Sequence, residues 1–118
     1  MEQKKNPVLE KSFAFAVRIV KLYKYMIDEK REYTLSKQIL RSGTSVGANI
    51  EEALGGYSKK DFRAKMGISY KEIRETKYWS KLLKETAYLE ESQFESLYAE
   101  ADKLGKMLFS IIRSTEIN

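Results

Sequence analysis

Four glutamates are the first residues whose types and spacing could do chemistry: the pair Glu51 and Glu52, then Glu72 and Glu75 about twenty residues later. Glu72 and Glu75 lie one helical turn apart, and hard carboxylate oxygens gathered in this way hold Mg²⁺ against phosphate groups. A second stretch, RSGTSVGAN from Arg41 to Asn49, has the small, glycine-bearing composition of a loop that wraps a phosphate in backbone N–H groups. A third set is basic and aromatic: Lys11, Arg18, Lys21 and Lys24 with Tyr25 nearby, and Lys59, Lys60, Arg63, Arg74, Lys77 and Lys81 with Tyr78. Such mixtures bind phosphate backbones by charge and stack bases on rings. The sequence contains neither histidine nor cysteine. The commonest general base, the usual pH switch, disulfides and thiolate metal sites are therefore excluded, and a reducing cytoplasm is the expected compartment.

The elements that must position these residues are helical. Among 118 residues there are one proline and six glycines, and 33% are charged, which favours one domain of long helices over a sheet with many turns. The polar N-terminus lacks the apolar run of a signal peptide or membrane span. Asn6 and Pro7 form a helix start, and the first helix should run from about 7 to 31 with Leu9, Phe13, Ala16, Val20, Tyr23 and Ile27 on its core face. The second, about 34 to 54, carries Leu35, Ile39, Ser42, Val46, Ile50 and Ala53 inward and ends at Gly55 and Gly56, residues tolerant of left-handed geometry. Ser58 to Asp61 opens a third helix, about 58 to 87, and Ser92 to Glu95 reads as a capping box for a fourth, about 92 to 114. The fourth turns Phe94, Leu97, Ala101, Leu104, Leu108 and Ile111 inward. Four helices with short connections predict an all-α, antiparallel up-down-up-down four-helix bundle.

Placed on these helices, the glycine-bearing stretch loses its phosphate reading. A phosphate loop needs a strand before it, a helix starting at it and a closing Lys-Ser/Thr, whereas Arg41 to Asn49 continues the helical phase of Leu35 and Ile39 into Ile50. Gly43 and Gly47, four apart, instead thin one edge of the helix so that another backbone packs closely, offsetting a propensity cost of about 1 kcal/mol each. Arg41, Ser45, Ala48 and Glu52 form a polar stripe on the other side. Glu72 and Glu75 flank the Ile68/Trp79 stripe of the third helix, so they are expected to be partly buried and to need partners. Arg41 and Asn49 are the candidates, which makes Arg41, Asn49, Glu52, Glu72 and Glu75 a buried polar network that sets helix register. The competing reading of the acids is enzymatic. Their pattern resembles that of all-α Mg²⁺-dependent nucleotide pyrophosphatases, but the third acid expected one turn after the pair falls at Gly55.

Charge and apolar surface are both unevenly spread. Residues 1–31 hold eight Lys/Arg against four acids and residues 58–90 nine against five, whereas the other two segments are slightly acidic. The first and third helices, diagonal in a simple bundle, carry the excess. The third helix also has two apolar stripes, one of Ala64, Ile68, Trp79, Leu82 and Leu83 and one of Phe62, Met66, Tyr70 and Ile73. A single seam needs only one. The second stripe is therefore expected to be a subunit interface in a homo-oligomer, against the plainer reading of a wide core arc covered by lysine stems.

The run from Gln38 to Ala53, read with Ser58-x-x-Asp61-Phe62 and with Lys71-Glu72-x-x-Glu75-Thr76-x-Tyr78-Trp79, resembles the bacterial family of 23S rRNA intervening-sequence proteins over nearly the whole chain. The resemblance implies a cytoplasmic four-helix bundle that assembles into a ring, most often a homopentamer. It also implies kinship with basic accessory proteins of retroelements that bind nucleic acid and a reverse transcriptase. It supplies no catalytic residues. The expected protein is thus a non-enzymatic oligomer without metal or cofactor, a possible partner of RNA, DNA or a reverse transcriptase; a Mg²⁺-dependent nucleotide hydrolase and a protein-recruiting scaffold are the alternatives.

Overall fold

A computed structural model describes residues 6–116 of the chain. The polar start before Asn6, which the charge tally includes, lies outside the described residues. Four helices follow in order: α1 (Pro7–Asp28), α2 (Leu35–Leu54), α3 (Lys59–Glu85) and α4 (Glu91–Ser114), with no strand among the described residues. Each begins where a side chain satisfies orphan backbone donors. Asn6 accepts from the Leu9 N–H at 3.2 Å ahead of Pro7, and Ser58 accepts from the Asp61 N–H at 3.0 Å. At α4 the capping box is Glu90 with Gln93, two residues before the expected one, and the Glu90 N–H donates to Gln93 Oε1 at 3.0 Å. Ser92 lies inside the helix.

The start of α2 has a cap that the sequence reading missed. The Glu32 carboxylate accepts from the N–H groups of Thr34, Leu35 and Ser36 at 3.1, 2.8 and 2.7 Å, while the Ser36 hydroxyl donates to the Glu32 carbonyl at 2.8 Å. Burial opposes the charge on Glu32, yet these bonds outweigh it and hold the carboxyl below its ordinary range. A lowered folded value means that the carboxylate's contribution is complete above the ordinary range and is lost as pH falls through the folded value. Glu32→Gln is expected to cost about 1 kcal/mol at neutral pH, and urea melts should show its deficit against wild type closing in acid. The left-handed positions also fall elsewhere than expected. Neither Gly55 nor Gly56 has positive φ; Arg31 (φ 55°) and Ala87 (φ 68°) do. At Ala87 the Tyr88 N–H reaches the Leu83 carbonyl at 2.9 Å and closes α3.

Helix α2 packs on α1 and α3, and α4 packs on α3 and more lightly on α1, so α1 and α3 sit on a diagonal. Partner numbers run in opposite directions across each seam. Gly43 lies against Ile19 and Gly47 against Ser12, the Ser42 and Val46 positions meet Thr76 and Ser69, and Lys77 and Lys84 meet Asp102 and Glu91. Consecutive helices therefore run antiparallel. The core they enclose includes Phe15, Ile19 and Met26 of α1, Ile39, Val46 and Ile50 of α2, Met66, Ile73 and Leu83 of α3, and Leu97, Leu104 and Leu108 of α4. Small hydroxyls thread it: Ser69 donates to the Val46 carbonyl at 2.8 Å and Thr76 to Ser42 Oγ at 2.9 Å. Each is fully buried and bonded, so it imposes register without an unsatisfied group.

Two expected faces are corrected. On α1 the inward residues are Val8, Ser12, Phe15, Ile19 and Met26, and Phe13 is 70% exposed. The apolar residues of α1 nearly encircle it, so spacing left the rotation open; the close approach of Ser12 and Ile19 to the glycine edge of α2 sets it. On α3 the stripes exchange roles in the first half of the helix, whereas Leu83 is buried in the core and Trp79 packs against it as expected. Met66 and Ile73, expected at a subunit interface, belong to the protomer core, Phe62 and Tyr70 are half-buried, and Ile68 and Ala64 face outward. The cause is that Ser69, Thr76 and Ser80 face inward, carrying Met66 and Ile73 with them. Gly67, by contrast, faces open space, with nothing within 4 Å of where a Cβ would stand. Gly67→Ala should stabilise the fold by about 1 kcal/mol, measured by urea denaturation.

Candidate nucleic-acid interface

On α3, Tyr70, Arg74, Lys77, Tyr78 and Lys81 recur at helical spacing along the edge that faces α4. On α4, Tyr98, Asp102, Lys106 and Phe109 answer them. Between the two rows runs an open groove of about 590 Å³ with Ile73 and Gly105 at its floor. A Cβ on Gly105 would stand 3.6 Å from Ile73 Cγ2, so the floor is in ordinary contact. Four cations line the groove against one carboxylate, together with four aromatic rings. That excess is local and does not depend on the modest net charge of +5.

The groups are held in place by one another. Lys77 donates to Asp102 at 2.8 Å, and Lys106 pairs with the same carboxylate at 3.2 Å. Burial works against the charge on Lys77, but the bond to Asp102 raises its pKa above the ordinary value. Asp102 is lowered in turn by Lys77 first and then by Lys106. Both stay ionised at neutral pH. The ammonium groups of Lys77 and Lys81 stand 4.9 and 5.3 Å from the centre of the Tyr98 ring, a cation–π arrangement that keeps two long side chains over the groove. Tyr70 and Phe109 lie with ring centres 6.0 Å apart, and Arg113 stands 5.8 Å from Phe109 at the end of the groove.

Of the ten cations expected to bind nucleic acid, the structure brings Arg74, Lys77 and Lys81 into this groove. Lys59 and Lys60 are exposed at the start of α3, and Arg63 pairs with Glu116 at 3.7 Å. Lys11, Lys21 and Lys24 are exposed on α1, which lies diagonal to α3, and Arg18 is bound to Glu100 at 2.7 Å and Ser96 at 2.9 Å. Within one protomer the cations of α1 and α3 thus stand apart, as expected for diagonal helices. Lys106, Tyr98, Tyr70 and Phe109 were missed, although the three- and four-residue spacing of Tyr98, Asp102, Lys106 and Phe109 marks one face of α4.

The expected polar network exists in part and lies nearer the surface. Arg41 reaches both Glu72, at 3.2 Å, and Glu75, while the Trp79 indole N–H donates to Glu75 at 2.9 Å. The indole bond, followed by Arg41, holds the Glu75 carboxyl below its usual range against the effect of burial. Arg41 is half exposed, which corrects the expectation of a buried network. Asn49 bonds only to the Ser45 carbonyl of its own helix, at 2.8 Å, and exposed Glu52 pairs with Lys65 at 3.4 Å. Glu51 lies on the groove between α1 and α2. The four glutamates therefore do not converge, and among the described residues no three acidic or imidazole groups are placed to hold a metal ion. The RSGTSVGAN stretch is helical throughout, with Gly43 and Gly47 against α1. No helix among the described residues is long and apolar enough to cross a membrane.

Fold and site together define a four-helix, all-α protein whose distinguishing surface is a basic, aromatic groove between two helices. The chain belongs to the 23S rRNA-intervening sequence protein family, whose model matches residues 4–110. Among solved structures it is similar to a protein of unknown function from the S23 ribosomal protein family of Bacteroides thetaiotaomicron VPI-5482. The two are 50% identical with a TM-score of 0.88, over 89% of this chain and 97% of that one. No curated protein matches.

Proposed function

We propose that this protein is a non-enzymatic, cytoplasmic accessory protein that binds nucleic acid through the α3/α4 groove and assembles as a homo-oligomeric ring. The observation that carries the binding role is the groove itself: Arg74, Lys77, Lys81 and Lys106 against Asp102 alone, interleaved with Tyr70, Tyr78, Tyr98 and Phe109. Cations supply sequence-independent attraction to phosphates, and rings supply faces for bases. The hydrolase alternative has no such support, because Arg41 and Lys65 occupy three of its four glutamates.

Assembly is supported by a different surface from the one first expected. Phe13, Val17 and Val20, at i, i+4 and i+7, form an exposed apolar stripe on α1 beside a groove lined by Leu9, Ala16, Gly47 and Ala48. That stripe lies on the α1/α2 side of the bundle, away from the α3/α4 groove, and a ring further needs a complementary patch on the next copy. Two measurements test the proposal. Light scattering should give a multiple of 13.8 kDa that Phe13→Glu reduces towards one copy. Binding of RNA should weaken steeply with salt, the logarithmic slope reaching about −2 to −3 for three to four neutralised phosphates. An oligomer with no affinity for RNA or DNA at low salt would leave the protein-recruiting scaffold as the better reading.

A further inference from the structure

We infer that the α3/α4 groove takes unpaired strands in preference to duplexes, stacking bases on Phe109 and Tyr78 while Arg74, Lys81 and Lys106 hold the phosphates. The inference rests on the nucleic-acid reading above and specifies its ligand class. Three features of the groove lead to it. Phe109 and Tyr78 are 49% and 58% exposed and stand on opposite walls, so about half of each aromatic side chain meets solvent. A surface built only to meet phosphates has no use for them. Next, the rings divide the work. Tyr98 lies under the Lys77 and Lys81 ammonium groups and anchors cations, whereas Tyr78 is braced edge-on by Trp79, with centres 4.9 Å apart at 74°, and Phe109 is braced by Tyr70 at 6.0 Å. Braced rings lose little freedom on stacking. Last, a groove of about 590 Å³ is of the size that holds a small ligand or a short stretch of single strand. A duplex keeps its base faces stacked within the helix and presents only phosphates, sugars and base edges, so it would meet the cations and offer the rings no face to stack on.

The charge arrangement fits the same occupant. Asp102 offsets one of the two charges of Lys77 and Lys106 and leaves the Lys106 side chain 80% exposed, while Arg74 and Lys81 stand exposed on the α3 rim with no carboxylate partner among the described residues. A strand entering base-first places its phosphates on that rim.

The test is fluorescence anisotropy with three labelled probes of equal length: an oligo(U) strand, an oligo(dT) strand and an A·U duplex. Wild type is compared with Phe109→Leu, Tyr78→Leu and Lys81→Gln, with circular dichroism melts to establish that each is folded. Both ring positions are exposed, and leucine keeps apolar cover. Wild type should bind the strands more tightly than the duplex. Each ring substitution should weaken strand binding by about tenfold, with duplex binding and the salt slope unchanged. Lys81→Gln should lower the salt slope for strands and duplex alike. Equal affinity for strand and duplex, with ring variants indistinguishable from wild type, would overturn the stacking inference while leaving the electrostatic role standing. Failure of wild type to bind any probe would remove both. A preference for oligo(U) or oligo(dT) supports the inference either way.

Discussion

Arg74→Glu combined with Lys81→Glu is expected to lower affinity for a single strand about a hundredfold at low salt, roughly tenfold or 1.4 kcal/mol for each reversed side chain. The salt slope should fall by about half, since two of the four groove cations no longer release counterions. Both side chains are exposed and neither forms an ion pair among the described residues, so the fold has no contact to lose apart from the Lys81 approach to Tyr98. The matching control reverses Lys11 and Lys21 on α1, both exposed and off the Phe13/Val17/Val20 stripe. It makes the same change in net charge on the helix diagonal to α3. Little loss from the control and a large loss from the groove variant would locate the interaction. Equal losses from both would mean that total charge, not the groove, attracts the ligand.

Gly43→Ala should destabilise the protein by about 1–3 kcal/mol, even though alanine gains about 1 kcal/mol of helix propensity over glycine. A Cβ at position 43 would stand 2.7 Å from Ile19 Cγ1 and 2.9 Å from Cγ2. Ile19 is completely buried, and its branched side chain has nowhere to turn, so the helices must separate. Against the 5–15 kcal/mol that holds a typical domain together, this is a large fraction. Truncating the neighbour should relieve it. In a double-mutant cycle measured by urea denaturation, Ile19→Ala and Gly43→Ala together should cost less than the sum of the two changes. A Gly43→Ala variant that gains stability as Gly67→Ala does would show that α1 and α2 do not meet closely at this glycine.

The two glycines show how far a sequence reaches and where it stops. Both interrupt a long helix, both cost the same intrinsic propensity, and they differ only in what stands opposite: Ile19 in one case and solvent in the other. Gly43 and Gly47 were recognisable as a thinned edge because the apolar phase runs straight through them, and the structure places Ile19 and Ser12 there. The Arg41 pairing with Glu72 and Glu75 was legible for a similar reason, since opposite charges on adjacent helices have few other partners. The Glu32 cap was not legible. Its residue type is not one that usually caps, and it reaches three N–H groups only because the chain turns through a left-handed Arg31.

What the sequence determined by itself was the number and approximate extent of the helices and the face that α2 and α4 turn inward. Those follow from caps, breaks and periodicity, which are local and act within a few residues. Tertiary structure decided the rotation of α1, the inward stripe of α3 and the composition of the groove. On α1 and α3 apolar residues nearly surround the helix, so hydrophobic spacing permits several rotations of similar burial. Close packing at Gly43 and the hydrogen bonds of Ser69 and Thr76 choose among them. The groove needs one thing more, the register of α4 against α3. Only that register sets Lys77 beside Asp102 and Phe109 beside Tyr70, because no sequence separation within either helix encodes a contact between the two.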